Sequence, residues 1–356
     1  MGLKGYIARR LVHSLILLLA VIIFNFFLFR LPTFMLGVDP ADLVIGGIDD
    51  QLTQQRLREA WNIPPEDATL QDWIDHFMTY VTNMMTFNFG YSYQENSIRV
   101  IDAIMDRLPN TVILLGLASI TTMVIGIYLG TRAAAKRGSR FDVGSITVSL
   151  FLYSIPVFWM GMVSLLIFSV WLDWIPLFGS HSDDCSTGAW GACTAQLGPF
   201  NIHTGLALGG IHLDYYLDYI SHLLTPLAVL TLGGFGGYLL LMRNSLVDVL
   251  TEDYIKTARA KGLEYRSVLY KHAFRNAILP MITVIALSFA FIISGAILTE
   301  TVFNWYGLGR YIYESFITLD WPVSQAIFFI IALCVILANF VADMMYGVLD
   351  PRIKYL

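Results

Sequence analysis

Apolar residues in this chain gather into long unbroken runs instead of alternating or recurring on a single helix face. Six windows are free of Asp, Glu, Lys and Arg: Leu11 to Phe29, Thr111 to Leu129, Val143 to Val170, Leu223 to Met242, Ala277 to Thr299 and Val323 to Ala342. A helix of about 20 residues crosses a bilayer core of ~30 Å, and within lipid only a helix or a closed barrel satisfies every backbone group. The pattern therefore predicts an all-α integral membrane protein of about six transmembrane helices. Lys4, Arg9 and Arg10 precede the first run as in a signal peptide. That run is long for a signal core and no small-residue cleavage site follows, so a retained anchor is expected.

The segments between the runs differ in character. Pro32 to Pro109 is polar and acidic yet carries Trp61, Trp73 and many Phe and Tyr, which predicts a small folded elaboration and not disorder. Within it, Trp73 to Thr86 has helical apolar spacing; such a helix either lies on the membrane surface or packs on the ends of the bundle. Trp171 to His222 is rich in Gly, Ser and Asp and has no Lys or Arg. Arg243 to Asn276 is the opposite, with seven basic residues interleaved with Tyr254, Ile255, Ala258, Leu263, Val268 and Leu269. Thr251 is a candidate helix cap, Glu252 and Asp253 suit a helix N-terminus, Gly262 breaks the helix, and a second short helix is expected over Glu264 to Phe274. The expected domains are 1–30 (N-terminal segment and first span), 31–108 (extracytoplasmic), 109–350 (membrane domain with outer loop 171–222 and inner loop 243–276) and a tail, 351–356.

Charge sets the expected orientation. With a cytoplasmic N-terminus, 16 of the 22 Lys and Arg fall on the inner side, which makes both termini cytoplasmic. Twelve acids lie between Asp39 and Asp106 on the outer side, and the net charge of −5 offers no basic footprint for nucleic acid. Composition agrees: 56% hydrophobic, 14% charged and a mean hydropathy of +0.63 place the chain outside the soluble class.

Candidate chemistry is sparse. The chain has no G-x-S-x-G, no H-E-x-x-H and no EF-hand loop, and its seven histidines include no pair at metal-ligand spacing on a helix. No catalytic, cofactor or metal residue is therefore assigned. Gly130-Thr-Arg-Ala-Ala-Ala-Lys136-Arg137 fails as a phosphate loop, since Ala135 replaces the second Gly and Arg137 the magnesium-binding Ser or Thr. Ion-coupled carriers keep ionisable groups inside the membrane, so charge-free spans point to energy supplied by another subunit. Cys334 sits in the last span, whereas Cys185 and Cys193 share the second outer loop, either as a disulfide or as two free thiols. Gly233, Gly234, Gly236 and Gly237 cluster near the middle of the fourth span and serve either close helix packing or a solute pathway.

The inner segment Tyr254-Ile-Lys-Thr-Ala-Arg-Ala-Lys-Gly262-Leu263, continuing through Lys271-His272-Ala-Phe-Arg-Asn276 to Leu279-Pro280, resembles the permease subunits of ATP-binding-cassette importers, in their dipeptide, oligopeptide and nickel branch. Glu300 to Arg310, Asp320-Trp-Pro322, Asn339, Asp343, Tyr346, Asp350-Pro351-Arg352 and the Phe89-Gly90-Tyr91-Ser92 turn are similar to the family as well; Tyr306 stands where Pro is usual. The resemblance implies a multi-pass protein of a prokaryotic cell membrane that forms the path for di- or oligopeptides, with oligosaccharides or nickel as alternative solutes. Implied partners are a second homologous permease, two ATPase subunits that hold ATP and magnesium, and an extracytoplasmic substrate-binding protein. It further implies that Tyr254, Ala258, Arg259, Lys261, Gly262, Leu263 and His272 couple the chain to an ATPase. A secondary transporter or an intramembrane enzyme is the rival class; the first lacks midplane carboxylates and the second any nucleophile or metal motif.

Overall fold

A computed structural model of the chain describes residues 3–36, 45, 52, 56, 69–95, 98–182, 195–197, 200–202, 207–208, 211–290, 292 and 296–349. Its helices are α1 (Leu3–Leu36), α2 (Leu70–Met85), α3 (Val100–Ala135), α4 (Arg140–Ser154), α5 (Val157–Ser164, continued by a π-helical stretch Leu165–Trp171) and α6 (Leu213–Val249). They continue with α7 (Asp253–Ala260), α8 (Tyr265–Ser267), a π-helical stretch Val268–Ala273, α9 (Phe274–Ala277), α10 (Leu279–Ala290), α11 (Ile297–Val302), α12 (Leu308–Ile317) and α13 (Trp321–Leu349). The expected loop 171–222 contains two small antiparallel hairpins, Ala195–Leu197 with Phe200–Ile202 and Ala207–Leu208 with Ile211–His212. The regular structure among the other described residues is helical, apart from an isolated bridge between Tyr91 and Arg99, and Cys185 and Cys193 lie outside the described residues.

Four helices among the described residues are long and apolar enough to cross a membrane: Ile7–Arg30 of α1, α3, α6 and Trp321–Val341 of α13. A fifth candidate is α4 with Val157–Trp171, but the pair is bent by 90°. The expected straight span over Val143 to Val170 is thus broken. The cause is Pro156, which lacks an N–H and pushes the residue before it out of the helical region; Ile155 is extended (φ −85°, ψ 128°). The window Ala277 to Thr299 holds α10, of 12 residues, and the start of α11.

The chain folds as two compact units. The first comprises residues 1–111, 293–297 and 307–356. In it α1 packs on α13 through Phe29, Trp321 and Phe328, and the Asn25 side-chain amide donates to the Gln325 carbonyl at 3.0 Å. Thr69 and Asp72 form a capping box that starts α2, and the hydrogen bonds from Thr69 hold the exposed Asp72 carboxyl below the usual range. The Phe89-to-Ser92 turn and the Asp320-Trp-Pro322 segment meet here. The buried Asp320 carboxylate accepts the Ser92 hydroxyl and the Tyr93 and Gln94 amides, the latter two at 3.2 and 3.3 Å. Burial nevertheless raises the Asp320 pKa above the ordinary carboxylate value. Nearby, Arg107 stacks 3.9 Å over the Tyr311 ring and pairs with Glu95 at 2.7 Å.

The second unit comprises residues 112–292 and 298–306. Its axis is α6, which runs unbroken through the glycine cluster. A Cβ on Gly233 would meet Val157 at 2.7 Å, one on Gly234 would meet Thr122 at 2.9 Å, and one on Gly236 would meet the Ser149 carbonyl at 3.0 Å. These three glycines let α3, α4 and α5 approach α6 closely, whereas Gly237 faces open space.

Candidate coupling site

The segment following α6 buries part of its apolar surface against its own chain. Helix α7 has only two buried positions, Ile255 and Ala258, and both enter a cluster formed by Ala134, Met242, Leu246, Val268, Leu269, Ala273, Ala277 and Met281. Ends of α3 and α6, the π-helical stretch and α9 therefore form one block beneath α7. Thr251 does not cap this helix; its hydroxyl turns back to the Asp248 carbonyl at 2.7 Å, and Glu252 occupies the cap position without a side-chain hydrogen bond. The Asp248 carbonyl near the end of α6 accepts both the Thr251 hydroxyl and the Thr251 amide, so the side chain serves the helix it follows.

The exit from α7 is a Schellman turn. The Gly262 amide donates to Arg259 at 2.9 Å, the Leu263 amide donates to Ala258 at 3.4 Å, and Gly262 has φ +77°. Nothing lies within 4 Å of a Cβ placed on Gly262, so the need for glycine is conformational and not steric.

The expected coupling residues divide into two sets. Ala258 points inward and Gly262 shapes the turn; Tyr254, Arg259, Lys261, Leu263 and His272 are exposed. Exposed Lys256, Tyr265, Arg266, Tyr270, Lys271 and Arg275 extend that surface. Tyr254 is oriented by Asn276, whose side-chain amide donates to the phenol oxygen at 2.7 Å. Glu264, Arg266, Ser267, Tyr270 and Lys271 line a shallow depression of about 390 Å³. The result is a face of tyrosines and positive charge on a buried apolar base.

Residues the sequence reading passed over fasten that base. Asp142 is buried, and its carboxylate accepts Arg243 Nε at 3.0 Å, Arg243 Nη2 at 2.8 Å and the Gly138 amide at 2.9 Å. The Tyr265 hydroxyl donates to the Ala135 carbonyl at 3.0 Å, and the Ser245 hydroxyl donates to the Ala277 carbonyl at 2.7 Å. The turn after α3 and the start of α4 are thus pinned to the coupling block by a two-pronged charge-assisted contact. One signal was available in the sequence: Asp142 is the lone acid beside Arg132, Lys136, Arg137 and Arg140.

Residues 122–355 match the family of the binding-protein-dependent transport system inner membrane component. The chain is 31% identical to the oligopeptide transport system permease protein AppB of Bacillus subtilis (strain 168) over 353 residues, 99% of this chain and 100% of that one. It is 34% identical to the di/tripeptide transport system permease protein DppB of Pseudomonas aeruginosa (strain UCBPP-PA14) over 357 residues, 99% of each. It is also 34% identical to the dipeptide transport system permease protein DppB of Escherichia coli (strain K12) over 327 residues, 90% of this chain and 91% of that one.

Proposed function

Because the chain belongs to the family of binding-protein-dependent transport system inner membrane components, we propose that it is the permease subunit of an importer for di- or oligopeptides, driven by ATP hydrolysis on separate subunits. The observation that carries the peptide assignment is end-to-end similarity to permeases named for dipeptide, tripeptide and oligopeptide transport. In this reading the chain is a multi-pass membrane protein with both termini cytoplasmic. It pairs with a second, homologous permease, receives solute from an extracytoplasmic binding protein and rests on two ATPase subunits. ATP and magnesium reside on those ATPases; this chain supplies no catalytic residue.

The coupling segment gives the scheme its mechanics. Tyr254, Arg259, Lys261, Leu263 and His272 would meet a groove of an ATPase subunit, and Ile255 and Ala258 would carry the displacement into the ends of α3 and α6. A close-packed block transmits such a displacement as a rigid body instead of absorbing it. The open flank of α6 at Gly237 is our candidate for the solute path; Gly233, Gly234 and Gly236 support it by bringing the neighbouring helices close.

Reconstitution of the chain with its second permease, ATPases and binding protein in liposomes tests the reading. ATP-dependent uptake of a di- or tripeptide is the expected result. Uptake of nickel or an oligosaccharide in place of peptides would replace the solute assignment, and uptake driven by an ion gradient without ATP would overturn the coupling scheme.

A further inference from the structure

Helix α2 carries more apolar surface than its own chain covers. At 3.6 residues per turn, its side chains from His76 through Tyr80, Trp73, Met84, Phe77, Leu70, Val81, Ile74 and Met85 to Met78 sweep an arc of about 200°. Half of this arc is seated: Phe26 of α1 meets Phe77 at 5.0 Å, Tyr80 at 5.3 Å and His76 at 5.7 Å between ring centroids. The other half is bare, with Leu70, Ile74, Met78 and Met85 between 47% and 78% exposed. Gln71, Asp72, Asp75, Thr79, Thr82 and Asn83 complete the circle as a polar face.

The depth of the seated half identifies what meets the bare half. Phe26 lies inside the apolar span Ile7–Arg30, four residues before its end, or about 6 Å of helix rise. A helix resting there lies at the level where acyl chains give way to headgroups. The faces of α1 around it, Phe24, Phe27 and Leu28, are exposed apolar surface within that span. The bare flank of α2 and this part of α1 are thus both apolar surface that the chain itself leaves uncovered near the Arg30 end of the span. We infer that α2 is an interfacial helix: its Leu70, Ile74, Met78 and Met85 flank inserts into the headgroup and acyl boundary of the leaflet at the Arg30 end of α1, expected to be the outer one, while its polar face meets water. Helix α2 contains no Lys or Arg, so insertion rests on apolar contact and not on attraction to anionic lipid. This assignment does not depend on which solute the chain transports.

Nitroxide labels on Ile74→Cys, Met78→Cys and Met85→Cys, with Thr79→Cys on the polar face, test this in the full chain with Cys185, Cys193 and Cys334 replaced by Ser. The protein is placed in phosphatidylcholine nanodiscs and collision rates with oxygen and with a water-soluble nickel chelate are measured. Labels at 74, 78 and 85 should collide with oxygen and be shielded from nickel, with the opposite at 79, and anionic lipid or added salt should change neither. Nickel access at 74 and 78 would place the flank in water, and loss of access to both probes would mean that protein covers it; either outcome overturns the assignment.

Discussion

Helices α2 and α7 are both short and amphipathic, and they use their two faces in opposite ways. Helix α7 packs its buried apolar positions, Ile255 and Ala258, on its own chain and turns tyrosine and positive charge outward. Helix α2 seats Phe77, Tyr80 and Met84 inward and still exposes Leu70, Ile74 and Met78. A helix whose outward face is charged and aromatic is suited to docking on protein, because shape and hydrogen bonds can match it; one whose outward face is aliphatic and uncharged is suited to lipid. The amphipathic pattern alone does not separate the two roles. What separates them is the residue set left over after intramolecular packing.

The largest effect is expected beneath α7. Arg243→Ala leaves the Asp142 carboxylate buried without its charge partner, a loss on the order of 3 kcal/mol, and loosens the turn after α3 from the coupling block. Peptide-stimulated ATP hydrolysis by the assembled transporter should fall; the double variant Asp142→Asn with Arg243→Gln should recover part of the stability lost in Arg243→Ala, as read by thermal unfolding in detergent. Next comes Ala258→Phe, which overpacks the block at a cost of about 1–3 kcal/mol and should abolish uptake while membrane insertion persists. Gly262→Val forces a β-branched residue to φ +77°, costing about 1–2 kcal/mol, and should uncouple in the same direction but less completely. Unchanged uptake in both variants would break the α7 half of the comparison.

Smaller effects belong to α2. Burial and then the charge of Arg30 push the His76 pKa down to about 3, so the folded protein holds this ring neutral where the unfolded chain binds a proton. His76 therefore contributes nothing to pH dependence above about 6.5; below that, stability falls as pH drops toward about 3, by at most about 1.4 kcal/mol per pH unit. Unfolding of the wild type should show this acid sensitivity and His76→Gln should reduce it. Thr69→Ala removes the capping box and should cost about 1 kcal/mol, read as faster amide exchange across the first turn of α2.

Much of this organisation was legible in the sequence, for identifiable reasons. Runs without charge revealed α1, α3, α6 and α13 because lipid excludes unpaired charge across the whole window. The bend at Pro156 was missed because averaging apolarity over Val143 to Val170 hides a single residue that acts through backbone geometry. Gly262 was identified correctly as a helix break since a lone glycine after a polar helix has few other uses there. Thr251 was misread as a cap because a hydroxyl between two helices has two backbone ends to serve, and periodicity does not say which. Asp142 and Arg243 lie 101 residues apart in sequence, and no local pattern signals such a contact. Of the two alternatives open for Trp73 to Thr86, packing describes the seated half of the apolar arc of α2, and the membrane surface is what we infer for its bare half.

The outward face of α7 is the surface proposed to meet an ATPase subunit. A photoreactive phenylalanine analogue at Tyr254 in the assembled transporter tests this directly. The expected result is an ultraviolet-dependent adduct between this chain and an ATPase subunit, whose yield changes when ATP is added together with loaded binding protein. Adducts with lipid alone, or none in a complex that still hydrolyses ATP in response to peptide, would contradict it.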